Sequence, residues 1–209
     1  MGEASKTKLT ISIVSGAWSL ALLLLGVQLP GAAPKVLFAL PTVLLLLFAL
    51  FNGWLWHVGP IRTIVGRPRL TGTWSGSLFS FRSAADGQEA AHDPIPIFLV
   101  IRESYLEVTV TLISEESRSR SIAAVLETEQ EADFVIHYLY TNLPRLGVRD
   151  RSPQHAGGGR LDISGLEPET LTGEYWTDRR TRGSLEVSKL SSKLVGNFQE
   201  GNAMMKRGE

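Results

Sequence analysis

Hydrophobic positions follow two regimes along the chain: contiguous up to residue 57, alternating beyond residue 70. Residues 9–29 and 36–56 contain no Asp, Glu, Lys or Arg. As a helix rising about 1.5 Å per residue, each run of about 21 residues reaches about 31 Å, the thickness of a bilayer hydrocarbon core. The link between them, Pro30-Gly31-Ala32-Ala33-Pro34, has room only for a tight antiparallel turn. The pattern therefore predicts a transmembrane helical hairpin within residues 1–61, with helices over about 9–29 and 36–57. The rival reading of the first run is a cleaved signal peptide, with Lys6 and Lys8 as its basic end and residues 31–33 as its cleavage site. Its apolar stretch exceeds the usual length of about 7–15 residues, and Pro34 would follow the cut. Trp54, Trp56 and His57 suit an interfacial belt, whereas Trp18 lies too deep and is expected between the helices.

After a basic connector at residues 62–69 the hydrophobic period becomes two. Residues 72–81 (GTWSGSLFSF) alternate Trp74 and Leu78 against Ser75 and Ser77. A polar loop with a turn signal at Asp86 and Gly87 follows. Residues 95–102 and 105–113 read as strands joined at Glu103 and Ser104. Further strands are expected over 121–128, 134–141, 160–164, 171–177 and 184–190, with a loop rich in Pro, Arg and Gly over 142–158. Period-two alternation with β-branched and aromatic residues between turn signals predicts antiparallel β structure. Eight strands in about 130 residues form a sandwich or a small up-and-down β-barrel, and the barrel is favoured; its interior holds side chains or one small ligand. The expected ligand-binding domain is thus 70–201, followed by a polar tail at 202–209. No amphipathic helix is evident after Pro68.

Charge adds orientation and excludes some partners. Lys6 and Lys8 precede the hairpin, Arg62, Arg67 and Arg69 follow it, and the link carries Lys35 alone. By the positive-inside rule both termini and the β domain are cytoplasmic. The formal net charge is zero, yet up to Arg82 there are seven Lys/Arg against one acid, and from Asp86 fourteen against twenty. An acidic β domain is a poor binder of DNA or RNA polymers, so an anionic ligand would need a few placed cations. The absence of cysteine excludes disulfides and thiolate metal sites.

Candidate chemistry is sparse for an enzyme. His57, His92, His137 and His155 are isolated, with no metal-ligand spacing, and no nucleophile elbow, P-loop or dinucleotide fingerprint occurs. The chain therefore reads as a non-enzyme without cofactor or metal. The most informative stretch is 171–183. Alternation places Leu171, Gly173, Tyr175 and Thr177 on one face, and Arg179, Arg180 and Arg182 cluster at a tight hairpin before Gly183. Arginine binds phosphate bidentately and stacks on bases, and a tyrosine ring offers a stacking surface. A solvated basic turn beside a core Tyr175 explains the same residues. Tyr138, Tyr140 and Asn142, at the end of a strand, form a second candidate, equally readable as core. Ser117, Ser119 and Ser121 alternate with Arg118 and Arg120 as a polar rim or a soluble edge.

Five pieces of this pattern, in chain order, are GTWSG (72–76), SRSRS (117–121), YLYTN (138–142), HAG (155–157) and GEYWTDRRTRG (173–183). With the preceding hairpin they resemble the CD-NTase-associated, two-transmembrane, β-strand-rich effectors of the bacterial anti-phage systems called CBASS. The last piece is the most specific; residues 82–94 match poorly. The resemblance implies an eight-stranded barrel that binds a cyclic dinucleotide or related cyclic oligonucleotide made by a partner nucleotidyltransferase (CD-NTase). Ligand-binding residues are then expected among Tyr138, Tyr140, Asn142, Tyr175, Thr177, Arg179, Arg180 and Arg182. It further implies homo-oligomerisation of the hairpins, disruption of the inner membrane and death of the infected cell. The alternative is a membrane-tethered barrel that binds an apolar small molecule or lipid.

Overall fold

The computed structural model describes residues 3–24, 33–83, 89–91, 93–130 and 133–208. They form two compact units, Met1–Val65 and Gly66–Glu209. Residues 30–32 of the predicted link and the turn at Asp86 and Gly87 lie outside the described residues.

The first unit holds α1 (Glu3–Leu24), α2 (Ala33–Gly53), a 3-10 turn (Leu55–His57) and α3 (Gly59–Val65). Ser15 and Thr42 hydroxyls hydrogen-bond across α1 and α2 at 2.7 Å. Both helices begin before the apolar runs, and α2 stops at Gly53 rather than continuing to residue 57. The sequence Asn52-Gly53 accounts for the stop, since both residue types favour helix termination over continuation. Pro41 lies inside α2, where its missing N–H removes one helical hydrogen bond. Trp54 is exposed, whereas Trp56 is buried and lies 3.9 Å, centroid to centroid, from the His57 ring. The first part of the stretch read as a basic connector is helical, as α3. Among the described residues no helix is long and apolar enough to cross a membrane.

The second unit is a closed antiparallel barrel. Its strands are β1 (Gly72–Ser83), β2 (Glu89–Ala91), β3 (Ile95–Glu103), β4 (Val108–Ile113), β5 (Ser117–Gln130), β6 (Asp133–Pro144), β7 (His155–Ser164), β8 (Thr170–Thr177) and β9 (Thr181–Ser191). β3 to β9 pair in chain order, β1 joins both β3 and β9, and eight strands thereby close on themselves. β2 adds three residues to the far end of β1. All eight predicted strands are present. The second half of the expected 105–113 strand forms β4, while residues 104–107 make the turn, with Ser104 N donating to Glu107 O at 2.8 Å. β7 starts at His155, five residues before expectation, and draws residues 155–158 out of the predicted loop.

Closure gives every strand one face toward a common interior. Trp74, Leu99, Ile101, Phe134, Ile136, Leu161, Leu171, Leu185 and Val187 fill it. β3 is buried on both faces. Ile97, Leu99 and Ile101 point into the barrel, while Phe98 and Val100 pack outside with Val195 and Phe198. Phe198 belongs to α4 (Phe198–Arg207), which occupies the region read as a polar tail and corrects the expectation of no helix after Pro68. Asn197 caps it by accepting from Glu200 N at 2.9 Å. One barrel end is plugged: the Trp74 indole donates to Leu70 O at 3.0 Å and Lys189 Nζ to Thr71 O at 2.8 Å. Among the described residues the opposite end, beneath the β4–β5, β6–β7 and β8–β9 connections, is open.

Candidate functional site

The open end leads into a cavity of about 170 Å³. Its deeper wall is apolar, from Leu78, Ile97, Val110, Leu112 and Leu185. Toward the mouth the lining becomes polar and aromatic. Period-two alternation explains who enters: Tyr138, Tyr140 and Asn142 occupy inward positions of β6, and Tyr175 and Thr177 those of β8.

The tyrosines fit because glycines stand opposite them. Gly159 pairs with Tyr138 and Gly157 with Tyr140 across β6 and β7. A Cβ at Gly159 would fall 2.5 Å from the Tyr138 hydroxyl, and one at Gly157 would fall 2.6 Å from that of Tyr140. The run Gly157-Gly158-Gly159, which reads as loop in the sequence, is thus strand that yields its side-chain space to two rings. Those rings lie 5.9 Å apart, centroid to centroid. Burial pushes the pKa of both phenols up, each with a smaller contribution from neighbouring tyrosines. Burial also raises that of Tyr175, against the hydrogen bond from Ser80 that lowers it. All three rings are neutral at physiological pH.

Two hydrogen-bonded groups frame the polar half. On one side Asn142 Nδ2 donates to Ser117 Oγ at 3.0 Å and Ser119 Oγ at 2.8 Å, leaving the buried Oδ1 without a partner among the described residues. On the other, Thr177 Oγ1 lies 2.6 Å from Thr181 Oγ1 and accepts from Arg179 N at 3.2 Å. This pins the β8–β9 turn and sends the Arg179 side chain into the cavity lining. Its Nη1 donates to Ser152 Oγ and Pro153 O, both at 3.3 Å, while the buried Nε has no partner among the described residues. A fixed guanidinium with an unused donor, beside three rings and several hydroxyls, is equipped to bind an anion that carries flat groups.

Six of the eight candidate residues therefore converge: Tyr138, Tyr140, Asn142, Tyr175, Thr177 and Arg179. Arg180 and Arg182 do not. Arg180 takes the left-handed position of the turn at φ 60° and is exposed. Arg182 stands on the outer face of β9, opposite Trp176, because alternation from inward Leu185 puts even-numbered neighbours outside. Ser117 and Ser119 of the predicted rim line the cavity, whereas Ser121 instead accepts from Val110 N at 3.0 Å. His155, left as a loop residue by local sequence, opens β7 inside the lining. Its Nδ1 lies 3.2 Å from Pro153 O. Burial lowers the His155 pKa, the Pro153 carbonyl opposes this, and Arg179 and Asp178 make smaller contributions of opposite sign.

Residues 65–189, which span the barrel strands, match the family described as Cap15, cyclic dinucleotide receptor domain. A relative, the CD-NTase-associated protein 15 of Staphylococcus schleiferi, is 33% identical over 90 residues, covering 43% of this chain and 47% of that protein. The chain thus matches about half the length of that curated relative. Since the family match covers more than half of the chain and coincides with the barrel and its cavity, the protein belongs to the Cap15 cyclic dinucleotide receptor domain family.

Proposed function

We propose that the barrel binds a cyclic dinucleotide, or a related cyclic oligonucleotide made by a CD-NTase, in its open-ended cavity as an effector of anti-phage CBASS signalling. The observation that carries this reading is Arg179, whose guanidinium lines the cavity with a buried, unpartnered Nε beside Tyr138, Tyr140 and Tyr175. A phosphodiester takes the guanidinium donors, and the rings supply surfaces for bases. The family relationship supports the ligand class. A lipid or other apolar ligand is less well served, because the mouth half of the cavity is lined by hydroxyls, Asn142 and Arg179.

The membrane part of the proposal rests on the sequence. Residues 36–56 carry no charge, and Leu44, Leu46, Leu47, Phe48 and Leu50 of α2 are exposed on successive sides of the helix. A helix apolar all round belongs in lipid or in a large core. In this reading residues 1–61 anchor the chain in the bacterial inner membrane, with both termini and the barrel cytoplasmic. Ligand favours a homo-oligomer of the hairpins, the assembly disrupts the membrane, and the infected cell dies. A ligand drives such assembly only by binding the assembled form better than the separate one, and confinement to the membrane plane reduces the preference required.

The test is reconstitution of the full chain into dye-loaded vesicles, challenged with cyclic di-AMP, cyclic di-GMP, cyclic di-UMP, a linear dinucleotide and oleate. Leakage and a shift to higher oligomers with a cyclic dinucleotide alone are expected. Leakage driven by oleate, or by none of the probes, contradicts the proposal.

A further inference from the structure

A cyclic dinucleotide carries two phosphodiester charges, and burying an unpaired charge is far more costly than burying a paired one. Among the described residues that line the cavity, Arg179 is the sole permanent cation and no carboxylate is present. The second basic group of the lining is His155. Both side chains reach the same carbonyl, Pro153 O, with Arg179 Nη1 at 3.3 Å and His155 Nδ1 at 3.2 Å. Guanidinium and imidazole therefore flank one point of the cavity mouth.

Resting on the cyclic dinucleotide reading above, we infer that His155 is the second phosphate contact and that it takes up a proton as the ligand enters. The bond to Pro153 O requires the proton on Nδ1, so in the neutral ring Nε2 carries a lone pair. Nε2 has no partner among the described residues. A lone pair repels a phosphate oxygen; protonation turns the same atom into a charged donor. No atom other than that proton is transferred, and it comes from solvent.

The groups around the ring leave room for this change. From the β8–β9 turn come Arg179, which opposes protonation, and Asp178, which favours it while its Oδ2 accepts from Ala156 N at 3.1 Å. From β6 come Tyr140, kept neutral by burial, and Asn142, the register partner of His155. From the β4–β5 connection Glu116 is engaged with Arg151. The net effect in the empty cavity is a lowered pKa, so the ring is neutral near pH 7. An arriving anion raises that pKa. Affinity is then greatest at low pH, falls as pH rises between the free and bound pKa, and levels off above both.

Titration calorimetry on the detergent-solubilised full chain with cyclic di-AMP, cyclic di-GMP and cyclic di-UMP tests this at several pH values, in two buffers of different ionisation enthalpy. For a dinucleotide that binds, affinity should drop about threefold to tenfold from about pH 6 to about pH 8, with proton uptake seen as a buffer-dependent heat. His155→Gln should be weak and flat across that range, converging with the wild type at high pH. His155→Lys, a permanent cation, should restore affinity without the pH slope. Binding that is strong, independent of pH and buffer, and unchanged in His155→Gln overturns this inference alone. No heat from any of the three at any pH overturns the cyclic dinucleotide reading and this inference with it.

Discussion

Replacing Arg179 with alanine separates ligand recognition from fold more cleanly than any other single change. In the free protein the guanidinium contributes two long hydrogen bonds, to Ser152 Oγ and Pro153 O at 3.3 Å, and its Nε contributes none. Hydrogen bonds are worth about 0.5–1.5 kcal/mol net and more when one partner is charged, but these two are long and reach partly exposed groups, and the turn keeps its Thr177–Thr181 clasp. The melting temperature should therefore move little. In the complex the same group supplies a charge-assisted bond to phosphate worth about 1.5–3 kcal/mol, so its loss weakens binding about tenfold to a hundredfold. Arg180→Ala and Arg182→Ala, on the exposed turn position and the outer face, should leave affinity unchanged. Calorimetry beside a melting curve reads all three variants. Unchanged affinity in Arg179→Ala, or an equal loss in Arg182→Ala, would refute the assignment of the guanidinium to the ligand.

Two further outcomes probe the fold. A Cβ at Gly201 would lie 2.5 Å from the Phe98 ring, so Gly201→Ala should lower stability by about 1–2 kcal/mol through overpacking, despite the ordinary helix preference for alanine; a raised melting temperature would show that α4 does not sit on β3 this closely. At the plugged end, burial pushes the Lys189 ammonium down to about 8, Arg69 adding to the drop and Glu103 opposing it. The unfolded chain then binds more protons above that value, so the urea midpoint should rise from about pH 8 to about pH 9.5 in the wild type and stay level in Lys189→Met.

The barrel was legible because each strand carries alternation that a closed sheet needs, as in Leu171, Gly173, Tyr175 and Thr177. Inward candidates on β6 and β8 followed from the same period. What escaped has local causes. Gly157-Gly158-Gly159 has the composition of a loop, so the start of β7 and the placement of His155 were hidden; only the facing tyrosines explain the glycines. The five apolar residues 97–101 do not alternate, a sign of burial on both faces that called for a covering element. That element, α4, buries little more than Phe198 and Gly201, and its signal was the cap pair Asn197 and Glu200 rather than a stripe. Alternation along the hairpin already implies that Arg179, Arg180 and Arg182 cannot all face one site; the turn geometry, with Arg180 at positive φ, shows that Arg179 is the one that turns inward.

Hydrogen–deuterium exchange of the full chain with and without cyclic dinucleotide shows whether the ligand occupies the barrel cavity. Peptides covering the cavity ends of β6 and β7 and the β8–β9 turn, which hold Asn142, His155 and Arg179, should gain protection, while α4 on the outer face of β3 should not change. Protection confined to α4 or to the plugged end near Lys189, with the cavity mouth unaffected, would contradict binding in the cavity.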